Sequence, residues 1–313
     1  MNSDAQIRWL AGGVLGVLTL ASAIGYLLSL KYRSPGAQAT IQNLNARTRS
    51  WWIMAAVFGM ALLIGRAGTL VLFGFISFWA LREFITLTPT RAGDHRTLFW
   101  VFFVITPLNY YLLAIQWYEL FIILIPVYAF LFIPLRNALA GDCGRFLERT
   151  AKIQWALMVC VYCVSHAPAL LMLQIPNYEN QNAKLIFFFI VVTQISDVLQ
   201  YVWGKTFGKH PIAPHVSPNK TIEGFIGGVL SAAAVGTALW RITPFNPWQA
   251  AGMSLAIALM GFAGGLVMSA IKRDRGVKDY GTLIEGHGGV MDRIDSICFA
   301  APVFFHLTRH FFT

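Results

Sequence analysis

The residues able to do chemistry crowd into one stretch, Ser269–Ser296, which reads SAIKRDRGVKDYGTLIEGHGGVMDRIDS. Lys272, Arg273, Asp274, Arg275, Lys278, Asp279, Glu285, Asp292, Arg293 and Asp295 all fall there, in a chain with only 12% charged residues. Gly281, Gly286, Gly288 and Gly289 allow positive φ and close approach of backbone to a ligand; with His287 among them, they suggest a phosphate cradle. Asp292 and Asp295 are three apart, so they share one face if the last apolar run begins there as a helix, with Ser296 beside them. Two carboxylates so placed can hold a divalent cation. Magnesium favours carboxylates supplemented by phosphate oxygens and water, which leaves the nearby Lys and Arg to meet the remaining phosphate charge.

A second polar stretch lies upstream. The apolar run Leu185–Gly204 is interrupted by Gln194, Ser196, Asp197 and Gln200, and an ionisable residue at membrane depth is costly enough to mark a functional candidate. Gln194, Asp197, Tyr201 and Gly204 fall along one helical face. The plainer alternative for Asp197 is an ion pair with a loop lysine. Gly208-Lys209-His210 and Ser217-Pro218-Asn219-Lys220-Thr221-Ile222-Glu223-Gly224 follow. Thr221 is predicted to cap the next helix, which puts Lys220 and the first amides at a helix N-terminus, a natural anion site. Glu223 either caps that helix or joins the carboxylates, and Gly227-Gly228 points to close helix packing.

The elements that must position these residues are hydrophobic. With 57% apolar residues among 313, the composition is that of a polytopic membrane protein. Runs that approach the length of a membrane crossing occur at 9–30, 51–65, 67–81, 98–115, 117–135, 153–174, 185–204, 222–240, 248–271 and 294–312. They predict ten transmembrane helices in an all-α fold. The pairs 51–65/67–81 and 98–115/117–135 have short breaks and are the candidates for re-entrant pairs. The first run follows Arg8 and is read as a retained anchor. Most of the 24 Lys and Arg fall in alternate loops, which places the 272–293 segment on the cytoplasmic side and both termini outside. The same dispersal argues against nucleic acid as partner, despite a net charge of +10.

Residues 1–150 read as scaffold and 151–313 as the catalytic region. In the scaffold, Arg91–Arg96 and Gly141–Arg145 are expected to be solvated, topology-setting loops. Cys160 and Cys163 form a C-x-x-C inside an apolar run with no partner pair, so a metal or redox role is not expected. His166 reads as a polar packing group.

The stretch Ser269, Lys272-Arg273, Lys278-Asp279, His287-Gly288-Gly289, Asp292-Arg293-x-Asp295 resembles the signature of the phosphatidate cytidylyltransferases (CDP-diacylglycerol synthases). Asp197, Tyr201, Gly208-Lys209 and Ser217–Gly224 resemble a second block of that family. Glu285 stands where the family usually carries Pro or Gly, and Ile222 where many members have Trp. The resemblance implies attack of the phosphate of phosphatidic acid on the α-phosphorus of CTP, giving CDP-diacylglycerol and pyrophosphate. It implies Mg²⁺, with room for a second ion, held by Asp279, Asp292 and Asp295 with Asp197 nearby. Lys220, Lys272, Arg273, Lys278 and Arg293 would clamp phosphates, and His287 would bond a phosphate or orient a carboxylate. Lys209, Ser217, Thr221, Glu223 and the Gly288-Gly289 amides would bind substrate. Expected partners are CTP, phosphatidic acid and membrane lipids; the resemblance also admits a homodimer, in the inner or plasma membrane if the source is bacterial. A CTP-dependent lipid (polyprenol) kinase and a cytidylyltransferase for another lipid acid are the alternatives. A transporter is the distant one, because the polar residues gather in two loops with no internal repeat.

Overall fold

The computed structural model describes residues 3–32, 34–284 and 288–313. Ten helical segments run through them: α1 Ser3–Lys31, α2 Pro35–Ile64, α3 Arg66–Leu87, α4 Ala92–Ala114, α5 Tyr118–Ala138, α6 Phe146–Met172, α7 Asn182–Phe207, α8 Ile222–Ala238, α9 Pro247–Asp274 and α10 Met291–Phe312. Every apolar run read from the sequence matches one of them to within two residues at each overrunning end. The chain is an all-α polytopic membrane protein, and among the described residues seven helices are by length and composition alone long and apolar enough to cross a bilayer: those in α1, α3, α4, α5, α6, α7 and α9. The other three fall short for visible reasons. Helix α8 has 17 residues, the first half of α2 is polar, and α10 carries Asp292, Arg293, Asp295 and Arg309.

Local chemistry sets the helix ends. At the start of α9, Asn246 and Gln249 exchange side-chain and backbone hydrogen bonds of 2.9 Å each, with Pro247 in the first turn, so the orphan amides there are met. Arg66, at the turn between α2 and α3, donates to the carbonyls of Leu113 (2.5 Å) and Ala114 (3.0 Å) and so closes the C-terminus of α4. Helices α4, α5 and α6 each hold a π-helical stretch, at 101–105, 124–129 and 158–163. Prolines 107, 126 and 168 lie in or just beyond these stretches, and each removes an N–H from the ladder. The carbonyl of Ile122, four residues before Pro126, is taken by the Tyr162 hydroxyl at 3.2 Å.

A continuous apolar core runs from Phe73 in α3 to Phe305 in α10. Phe189 of α7 stacks on Phe304 of α10 at 5.3 Å, with Phe188 and Phe245 around them. Leu63, Phe75 and Leu131 on the outside remain exposed, as a lipid-facing surface requires. Cys160 and Cys163 carry no disulfide, and Cys160 packs against Met291. His166 is buried against Phe121 and Phe305, its Nδ1 2.7 Å from the Tyr162 carbonyl. The histidine thus fits the packing role expected of it.

Two features depart from the sequence reading. A hairpin, β1 Pro211–Ala213 and β2 Ser217–Thr221, paired Pro211 to Thr221 and Ala213 to Ser217, links α7 to α8. The 91–96 and 141–145 segments are also not simply solvated. Arg149 reaches from α6 to Asp94 (3.1 Å) and Asp142 (2.9 Å) and donates to the Gly144 carbonyl (2.5 Å), and both Arg149 and Asp94 are buried. A hydrogen-bonded chain Thr97–Asn137–Thr150 adds a second tie between α4, α5 and α6.

Candidate active site

Helix α7 brings Asp197, α10 brings Asp295 and Ser296, and β2 brings Lys220 to one place. Ser296 Oγ donates to Asp197 Oδ2 at 2.7 Å, and the Ser296 amide donates to Asp295 Oδ1 at 2.9 Å. The two carboxylates are close enough to repel one another, with Lys220 and Arg293 offsetting the charge. Both remain partly accessible. Lys220 enters over α9, 4.9 Å from the Phe262 ring centroid. A Cβ on Gly265 would sit 2.9 Å from Lys220 Nζ and 3.8 Å from Asp295 Oδ2, so glycine there leaves the room the ammonium occupies. Burial pulls the Lys220 ammonium below its usual pKa, opposed by Asp295 and Asp197. Arg293 has a buried Nε with no hydrogen-bond partner among the described residues.

That arrangement depends on close packing of α7 with α8. A Cβ at Gly224 would lie 2.8 Å from Gly204 Cα, and one at Gly228 2.6 Å from Gln200 Cα, so the helices touch backbone to backbone as the glycine pair foretold. Thr221 caps α8 as expected, accepting from the Gly224 amide at 3.1 Å. Lys220 does not stay at that helix N-terminus; its side chain turns into the bundle toward the acid pair. Among the described residues Glu223 joins no carboxylate cluster. It accepts from the Lys209 and His210 amides (3.0 and 3.3 Å) and meets His210 Nδ1 at 2.5 Å, fixing the turn after α7. Lys209 itself is exposed, and Ser217 sits in the hairpin.

Residues 275–284 and 288–290 are organised around a different carboxylate. Asp292 is buried; its Oδ1 pairs with Lys272 at 2.8 Å, and its Oδ2 accepts from the amides of Tyr280 (2.7 Å) and Gly289 (3.0 Å). The Gly289 amide is therefore not a free phosphate donor as expected, because Asp292 already uses it. Gly288 has φ +81° and sits against Asp292 and Asp279, a position where any side chain would be strained. Arg273 donates to the carbonyls of Val216 and Val277, each 3.3 Å, and ties loop to hairpin. Lys278 and Asp279 are exposed at the loop surface. His287 and Glu285 lie outside the described residues.

The four carboxylates named from the sequence as metal ligands thus divide. Asp197 and Asp295 form one pair, Asp292 is engaged by Lys272 and two amides, and Asp279 stands exposed. Among the described residues, no three His, Cys, Asp or Glu side chains gather as a ligand set. The Asp197–Asp295 pair nevertheless suits magnesium, which needs one or two carboxylates when substrate phosphates and water complete its octahedron.

One residue of this site escaped the sequence reading. Glu83, buried near the end of α3, accepts from the amides of Val290 (3.0 Å) and Met291 (2.8 Å). Its signal was an acid inside the apolar run SFWALREFITL, the same signal that singled out Asp197.

A family model described as "Cytidylyltransferase family" matches residues 45–311. The chain belongs to this family. Its enzyme class is accordingly that of the nucleotidyltransferases, as the resemblance implied. The uncharacterized protein YnbB of Escherichia coli (strain K12) is 40% identical over 299 residues, covering 95% of this chain and 96% of that protein. Proteins named phosphatidate cytidylyltransferase match over shorter lengths. The one from Staphylococcus aureus (strain COL) is 42% identical over 130 residues, 40% of this chain and 50% of the relative. That from Mycobacterium leprae (strain TN) is 38% identical over 170 residues, 54% of this chain and 53% of the relative. The chain therefore spans about half the length of these named cytidylyltransferases.

Proposed function

We propose that this protein transfers the cytidylyl group of CTP to the phosphate of phosphatidic acid, in phospholipid biosynthesis, with Mg²⁺ as cofactor. The observation that carries this reading is the Asp197–Asp295 pair, flanked by Lys220 and by an Arg293 whose Nε lacks a partner among the described residues. A phosphate oxygen of the lipid attacks the α-phosphorus of CTP. A P–O bond forms there as the bond to the β-phosphate oxygen breaks, and pyrophosphate leaves with that electron pair.

The nucleophile is already anionic, so the site needs no general base; it needs position and charge. Asp197 and Asp295 would hold the ion, which when bound would neutralise phosphate charge. Lys220 and Arg293 would contact the triphosphate or the lipid phosphate. Lys272 acts by keeping Asp292 and the loop in place, Arg273 by tying loop to hairpin. Exposed Lys278 and Lys209 are free to meet phosphate oxygens from outside.

The test is incubation of the detergent-purified protein with labelled CTP, phosphatidic acid and Mg²⁺. Cytidine label entering lipid, with pyrophosphate released, only when all three are present is the expected outcome. CDP release with phosphorylation of another lipid overturns it in favour of a lipid kinase. Label passing to a different lipid acid overturns the substrate alone. The bias of basic residues also supports a cytoplasmic site with both termini outside, a reading that takes α2, α8 and α10 as crossing along with the seven longer apolar helices. Cys143 is exposed in the 139–145 loop on the proposed cytoplasmic side. In intact cells a membrane-impermeant thiol reagent is expected to leave it unlabelled, and labelling without lysis inverts the orientation.

A further inference from the structure

We infer that Glu83 is a positioning residue of the active site, a carboxylate lent by α3 that sets where α10 begins and so where Asp292, Arg293 and Asp295 stand. Among the described residues helix α10 starts without a local side-chain cap: Val290 occupies the cap position and supplies no side-chain hydrogen bond. The two amides there, of Val290 and Met291, donate instead to Glu83, 207 and 208 positions earlier in the chain. An anionic group at a helix N-terminus gains from both the unmet N–H groups and the helix dipole.

Glu83 also holds the two ends of the signature loop together. A Cβ at Gly281 would lie 2.8 Å from Glu83 Oε1, and one at Gly289 would collide with the same carboxylate and reach its Cδ at 2.7 Å. The close approach these glycines permit is thus to a protein carboxylate. A Cβ at Gly281 would also fall 3.3 Å from Gly289 Cα, so the loop leaves and returns at one point, under Glu83. Asp292 grips the same point from the other side through the Tyr280 and Gly289 amides. Four backbone N–H groups are shared between two carboxylates, one local and one from the far end of the chain. A local Ser or Asp would cap a helix equally well; a cap from α3 adds registry between the two halves of the bundle.

The consequence is geometric. Asp295 lies one turn beyond the amides Glu83 holds, and Asp292 lies immediately after them, so any tilt of the first turn moves the carboxylates against Asp197 and Lys220. A displacement near 1 Å of groups that align reactants costs on the order of 10²-fold in rate.

The activity arm of the test rests on the cytidylyl-transfer reading; the exchange arm does not. Glu83→Gln keeps the shape but replaces one acceptor oxygen by an NH2 that faces an N–H donor. Val290→Pro removes one of the two donors while leaving Glu83 untouched, at a residue whose φ of −61° already suits proline. For Glu83→Gln in the full-length protein, kcat is expected to fall about 10²-fold with KM for CTP changed little. Amide exchange is expected to quicken at 289–291 while α7 and α9 keep their protection. Val290→Pro should reproduce part of the loss, and the double variant should be no worse than Glu83→Gln alone. Unchanged kcat, or exchange rising throughout the bundle together with a lost melting transition, overturns the proposal. If Glu83→Gln fails to fold, Val290→Pro decides by the same kcat and local exchange. Should the wild-type protein transfer no cytidylyl group at all, the proposed function fails, and protection at 289–291 in the variants still decides the role of Glu83.

Discussion

In the first half of the chain, Arg149 donates its Nε–H to Asp94, ion-pairs with the Asp142 carboxylate, and donates through Nη1 and Nη2 to the Gly144 and Asp142 carbonyls. In the second half, Asp197 faces Asp295, Lys220 stands beside them, and Arg293 keeps a buried Nε without a partner among the described residues. Both clusters set charge into an apolar bundle, which is expensive. The first closes on itself, opposite charge against opposite charge, and joins α4 to α6. The second places like charge against like and leaves donors over. A cluster that satisfies itself is a fastener. One that does not is completed by what binds, here by cation and phosphate.

The sharpest way to break this comparison is to neutralise one acid in each cluster. Asp295→Asn removes the charge that a cation and Lys220 share. Cytidylyl transfer is expected to fall to background while the purified protein keeps its melting temperature or gains a little, since a repulsion is relieved. Retained transfer, measured with labelled CTP, would mean the pair is not the ion site. Arg149→Ala should do the reverse. It leaves Asp94 buried without its cation, a loss of roughly 3–5 kcal/mol, a large share of the roughly 5–15 kcal/mol that holds a typical protein together. The yield of folded protein should drop, while whatever folds retains its kcat. A folded, fully stable Arg149→Ala that has lost activity would place the first cluster in the site.

The residue types that carry the second cluster were legible because their spacing is fixed along the chain. Asp292 and Asp295 on one helix, the Thr221 cap and the close packing at Gly227-Gly228 all follow from local sequence, and the structure has them. The ten helical segments were legible for the same reason; their count as crossings was not, since polar ends and charge in α2 and α10 do not show in an apolar run. What the sequence hid was pairing across the bundle. Nothing local says that Asp292 will take Lys272 and two amides while Ser296 joins Asp295 to Asp197, or that Gly281 and Gly289 make room for Glu83. The expected phosphate cradle at Gly289 failed on that point. The Asp94–Arg149 pair was hidden likewise, because a charged loop beside a span reads as solvated until the opposing arginine is known.

The smallest expected effect sharpens the contrast most finely. Asp142 touches both Arg149 and the exposed Arg91, and it is the outer member of the first cluster. The Gly144 amide, with Arg149 and Arg91, holds its carboxyl below the usual carboxylate range. A group with a depressed folded pKa stabilises the fold above its unfolded pKa and loses that contribution as pH falls through the lower, folded one. Exposure to solvent screens the interaction, so the contribution is small. Asp142→Asn is therefore expected to leave transfer activity unchanged, to lower the neutral-pH melting temperature only slightly, and by the same small amount to flatten the loss of stability on acidification. If Asp142→Asn instead destabilises as much as Arg149→Ala at pH 7, the two acids act as one unit and the fastener includes the loop itself. If it lowers transfer with no change in melting, the 141–145 segment reaches the substrate, and the division between a closed and an open cluster is wrong.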